Sequence, residues 1–122
     1  MVGIIHTQNL GNTGTFTTPS SFNETVHYVV IGGGGNGGYD LGGGGGSGAW
    51  VENSQPISGS NTFTVTVGGG GAAALSATKY PGSNSTVNFP TSVTAQGGGA
   101  GGMPTSNNGD PGGSGGGARG NG

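Results

Sequence analysis

Cysteine is absent from the 122 residues, which excludes disulfides, Cys-ligated zinc and a thiol nucleophile. Charge is nearly absent as well: two Lys or Arg, four Asp or Glu and a net charge of −2. A nucleic-acid binder needs a basic patch, and a chain held open by its own charge needs far more of it. Neither fits, so no nucleic-acid partner is expected. Leu, Ile, Val and Phe together number only 20, too few for the core of an ordinary compact enzyme. No apolar run reaches 18 residues, so membrane insertion is not expected. The start, Met1-Val2-Gly3-Ile4-Ile5-His6, has no basic region followed by an apolar one. A secretory signal is therefore not expected, and the chain is expected to fold first in a cytoplasm.

What the sequence has instead is glycine, 34 of 122 residues, with 6 prolines. Such a share usually marks low complexity or a non-globular design. Here the glycine is not spread evenly. Tracts follow β-like segments at Gly32–Gly35, Gly68–Gly71 and Gly97–Gly99, and a further block runs from Gly42 to Gly46. The segments between them favour strands. Thr15-Phe16-Thr17-Thr18 is stopped by Pro19, and Thr25–Ile31 is nearly all β-branched or aromatic. The latter is apolar on both faces, so a central, well-buried strand is expected. Ala49–Glu52 is a short candidate, and Asn61–Val67 alternates cleanly, with Phe63, Val65 and Val67 on one face and Thr62, Thr64 and Thr66 on the other. Thr86–Phe89 and Ser92–Ala95 complete the set. No stretch has a helical period. The expected fold is all-β: a small, jelly-roll-like β-sandwich with long glycine-rich loops. Three parts are expected: an N-terminal arm over 1–14, the sandwich over 15–96, and a glycine-rich tail over 97–122.

A glycine tract is either a flexible linker or an extended polyproline-II-like chain. In the second form its amides and carbonyls point outward, and bare backbones can approach and hydrogen-bond side by side. Glycine loses the most freedom on ordering, so many lateral bonds must form together. The tracts start from strands, which fixes their origins side by side, and they lack the polar interruptions of ordinary linkers. Packed segments are therefore expected, and Gly44→Val is expected to disrupt them.

The ordered series Thr15–Pro19, Val29–Gly35, Gly42–Val51, Phe63–Gly71, Gly82–Val87 and Thr94–Gly99 resembles the glycine-rich domain of bacteriophage tail-fibre, adhesin and related virion surface proteins. The resemblance covers the chain from about Gly14 onward. It implies a β-sandwich with glycine loops on a virion surface or tail, with host recognition in variable loops. The comparable stretches here are Tyr39–Leu41, Ala72–Pro81 and Met103–Pro111. The arm of about 14 residues is shorter than a fibre shaft, which favours a small virion subunit or an assembling fibre unit.

Other motifs carry little chemistry. Gly33–Gly38 satisfies the dinucleotide pattern G-x-G-x-x-G after a strand, but five glycines follow where a helix is needed. His6 and His27 are the only histidines, and His27 fits a sheet position better than a base or ligand. Glu24, Asp40, Glu52 and Asp110 are too scattered to set a carboxylate pair by spacing. The row Thr62, Thr64 and Thr66 suggests an ice-binding surface, yet one row is more simply an exposed strand face. Asn23-Glu24-Thr25 and Asn84-Ser85-Thr86 are glycosylation sequons without a signal sequence. No catalytic residue, metal site or cofactor is expected.

Candidate contact residues are Tyr39, Asp40, Tyr80 and Met103 in loops, together with Trp50. The tryptophan suits either a core plug over the glycine segments or an exposed contact for a partner chain or saccharide. Val2, Ile4 and Ile5 form a candidate self-assembly arm that would add a strand to a neighbour's sheet. The function expected is non-enzymatic: a tail-fibre-type appendage or small virion surface subunit. Its expected partners are other copies of the chain as a trimer or filament, other virion proteins, and a host receptor or glycan. The alternative is a self-assembling, pilus-like extracellular filament joined by exchange of the N-terminal strand.

Overall fold

The computed structural model describes residues 13–120. Val2, Ile4, Ile5 and His6 lie outside the described residues. Six strands form, β1 (Thr13–Thr18), β2 (Asn23–Ile31), β3 (Trp50–Ser58), β4 (Asn61–Thr66), β5 (Ser85–Val87) and β6 (Val93–Ala95), and no helix occurs among the described residues. All pairing is antiparallel, in a four-stranded sheet of order β1-β4-β5-β6 and a two-stranded sheet β2-β3. The chain is all-β, and its two sheets pack as a small sandwich.

Alternation decides which side chains meet between the sheets. Val30 and Ile57 from the pair β2-β3 face Phe63, Val87, Val93 and Ala95 from the larger sheet, with Phe89 beside them. Phe63 is the centre of an aromatic group, its ring 6.1 Å from Phe16 and 5.0 Å edge-on from Phe89. Tyr28 closes the group at 5.1 Å from Phe89. Each buried aromatic is worth about 1.5–3 kcal/mol in transfer alone, so a core of this size depends on these few rings.

Strands β2 and β3, Trp50 and the threonine row all depart from the sequence expectation. Strand β2 is not central. It belongs to a two-stranded sheet with one bare face, so only alternate residues point inward, while Val29 and Ile31 are 49% and 50% exposed. Strand β3 extends past Glu52 to Ser58, through a polar stretch containing Pro56, which a sheet without further neighbours tolerates. Trp50 is no core plug, being 63% exposed on that bare face. The threonine row is doubled: Thr13, Thr15 and Thr17 of β1 stand opposite Thr66, Thr64 and Thr62 of β4.

The β3–β4 turn needs a left-handed residue and has one, Gly59 with φ of 77°. The buried hydroxyl of Thr18 donates to the Gly59 carbonyl at 2.8 Å and accepts from the Asn61 amide at 3.1 Å. Where sandwich gives way to glycine, Ser85 is the joint. Its hydroxyl donates to the Ile31 carbonyl at 2.6 Å and accepts from the Gly68 amide at 2.9 Å. Two glycine tracts thus leave the sheets from one fixed point.

Candidate functional site

Beyond the sheets the glycine tracts form a second body made of backbone. Amides at Gly43, Gly46 and Ala49 donate to carbonyls at Gly102, Gly99 and Gln96. Amides at Gly32, Gly35 and Gly38 donate to Ala49, Gly46 and Gly43. The donors recur every third residue, the period of an extended chain with three residues per turn. Segment 96–102 lies innermost. It exchanges bonds with 32–38, 42–49, 80–84, 107–110 and 112–119, and residues 97–103 are all buried. Residues 97–102 thus form the centre of this body.

Close approach explains the composition. A Cβ on Gly98 would stand 2.0 Å from the Gly46 carbonyl oxygen, and one on Gly46 would stand 2.0 Å from that of Ser114. No side chain fits such gaps. The expectation at Gly44 is corrected, because a Cβ there meets nothing within 4 Å. Its face points away from the neighbouring segments. The G-x-G-x-x-G residues lie in one of these segments, where Asn36 donates its amide to Tyr80 and accepts from Gly101. No helix follows.

The segments run alternately away from and back to the sandwich, so their connections gather at the far end. From Gly32 to Gly38 the rise is about 19 Å at ~3.1 Å per residue. Four of the six charged residues sit in these outer parts, and they tie them together. Lys79 Nζ donates to Ser106 Oγ at 3.1 Å, to the Asn108 carbonyl at 2.6 Å and to Asp110 Oδ1 at 2.8 Å. That ion pair is partly buried. Thr105 Oγ1 donates to the Ala77 carbonyl at 3.4 Å, a second tie between the same loops. Arg119 Nε donates to the Asp40 carbonyl at 3.2 Å, with Nη2 at 3.9 Å from the Asp40 carboxylate. The Arg119 amide donates to the Asn107 carbonyl and that of Gly120 to Leu41. Loops 39–41, 72–79 and 103–108 thus form one tip.

Tyr39 and Asp40 are exposed at this tip, with Leu41 beside them, and Asp40 and Leu41 hold φ of 47° and 55°. That is the left-handed region, which costs an L-residue roughly 1–2 kcal/mol. Tyr80 is exposed at the start of the returning segment, its amide accepted by Asn36 Oδ1 at 2.9 Å. Met103 is corrected: its side chain is fully buried, so it presents nothing to a partner. Trp50 lies away from the tip, where β3 begins and the glycine body joins the sandwich. Sequence reasoning did not single out Leu75, at 90% the most exposed large apolar residue among the described residues, nor Lys79 and Arg119. The signal for Leu75 was its place after Ala72-Ala73-Ala74 between glycine tracts. Among the described residues no group of three His, Cys, Asp or Glu could hold a metal ion. The tip can bind through exposed apolar and aromatic side chains on a braced frame.

A family model described as a glycine-rich domain matches residues 7–122. No curated protein and no solved structure matches the chain.

Proposed function

We propose, since the chain belongs to the family of glycine-rich domains, that it is a non-enzymatic adhesive and structural part, a tail-fibre-type appendage or small subunit on a virion surface. The observation that carries this reading is the tip. Three loops far apart in sequence are gathered at one end of a backbone-bonded spacer and braced by Lys79 and Arg119. A rigid spacer keeps loops in one arrangement, which lowers the ordering cost of contact. Tyr39, Leu41, Leu75 and Tyr80 are the contact residues, with Asp40 held as part of the frame. Aromatic and apolar side chains among small polar residues suit recognition at low entropy cost.

The test is adsorption of the fluorescently labelled full chain to a panel of bacterial strains. Binding to some strains and not others, lost in Tyr39→Ala/Leu75→Ser, supports the reading. Binding that the double substitution leaves unchanged removes the tip from it. The filament alternative has one feature in its favour: β1 is an edge strand directly after the arm. Open-ended fibres in electron micrographs, abolished by deleting residues 1–10, would replace the appendage reading with that one.

A further inference from the structure

The sandwich carries a second exposed surface, on the outer face of the β2-β3 pair and away from the tip. On the bare face of the β2-β3 pair, Ile31 stands opposite Trp50, Val29 opposite Glu52 and His27 opposite Ser54. The indole ring of Trp50 is largely exposed, and its Nε1 donates to Glu52 Oε2 at 3.4 Å. Next to it, His27, Val29, Glu52 and Ser54, with Tyr28 and Asn53 between them, line a shallow depression of about 340 Å³. Nothing in the described fold covers this face.

We infer that this face is a binding site for a neutral oligosaccharide, with Trp50 as the platform and Glu52 as the hydroxyl acceptor. A sugar ring has an apolar C–H face and a rim of hydroxyls. Trp50 and Val29 offer the apolar surface it needs, and Glu52, Ser54 and His27 offer polar groups beside it. Strands β2 and β3 contain no Lys or Arg, so no lysine or arginine there would neutralise a phosphate, sulfate or carboxylate on the ligand, and Glu52 would repel one. A second copy of the chain fits less well. Packed face to face about a twofold axis, this surface meets itself, burying Glu52 without a cation to compensate it. From Trp50 to Ser54 the strand rises about 13 Å at ~3.3 Å per residue, longer than a single sugar ring. The site is remote from the tip and does not rest on the role proposed for it.

Trp50 is the sole tryptophan, so its fluorescence reports the site directly. The full chain is titrated with maltopentaose, cellopentaose and mannopentaose, and with glucose, galactose and mannose alone. A saturable shift with at least one pentasaccharide, weaker with its monomer, is the expected result. Glu52→Gln should weaken that binding about tenfold. By calorimetry Trp50→Ala should abolish binding and Trp50→Phe should retain most of it, with unfolding curves confirming that all three variants fold. No shift with any sugar up to roughly 10 mM overturns the proposal. So does sedimentation showing a dimer of the native chain that Trp50→Ala dissociates, since the face is then a subunit interface.

Discussion

The amide of Gly46 donates to the carbonyl of Gly99 at 2.8 Å, across a gap too narrow for any side chain. This pair shows in small what the glycine body does: bonded backbone there takes the place of a hydrophobic core. The requirement for glycine comes from that proximity and not from backbone angle, since Gly59 alone among the described glycines has a positive φ.

Gly98→Ala should therefore destabilise strongly, by at least ~3 kcal/mol, because the added carbon meets fixed backbone and not a movable side chain. Gly44→Ala, at an open position, should be neutral or stabilising by about 0.4–1 kcal/mol. Urea unfolding of the two variants beside the native chain measures the contrast. Equal losses would mean that the segments do not pack as described.

Amide exchange should follow the period of three. Gly43, Gly46 and Ala49 donate into the central segment and should exchange slowly, whereas Gly44 and Gly45 between them should exchange quickly. NMR-detected exchange at single residues resolves this. Uniformly fast exchange across 42–49 would show loose loops.

Lys79→Met removes three donated bonds at once and leaves Asp110 without its cation. A loss of about 1–3 kcal/mol is expected, with faster exchange confined to 103–110. Arg119→Ala breaks a more exposed and longer ion pair and should cost no more than ~1 kcal/mol. Thermal melts of the two variants should rank in that order.

Leu41→Gly should raise stability by up to about 1 kcal/mol, because glycine accepts the φ of 55° that leucine holds at a cost. If the tip is a contact surface, the same change should weaken cell adsorption, separating stability from function. A drop in both would mean that the Leu41 side chain supports the frame.

Phe63→Ala should cost roughly 3–5 kcal/mol, since Phe63 joins the rings of Phe16 and Phe89 in a core with few other large side chains. Denaturant titration measures it, and a smaller loss would show that the glycine body stands without the sandwich.

Much of this architecture was legible in the residues. The strands stood out because β-branched and aromatic residues cluster between glycine tracts, and the order of the tracts followed from their starting at strand ends. The contacts between tracts were not legible. Gly113 lies against Gly97, and Gly117 against Gly44, but a residue without a side chain leaves no pattern to say which partner it meets. The bond of Lys79 to Asp110, 31 positions away, likewise has no local signature. The exposure of Val29, Ile31 and Trp50 was hidden because an apolar strand looks the same whether its second face is covered or bare. Met103 is the opposite case, a loop residue whose side chain folds inward without any local signal for it.

The threefold bond spacing sets how this body can change length. Inserting three residues into neighbouring segments together would lengthen it by about 9 Å and return every donor to its former side. Inserting one or two would rotate the chain by part of a turn and aim its amides at the wrong neighbours. The reach of the tip is thus adjustable only in whole steps, like a telescoping mast with fixed catches.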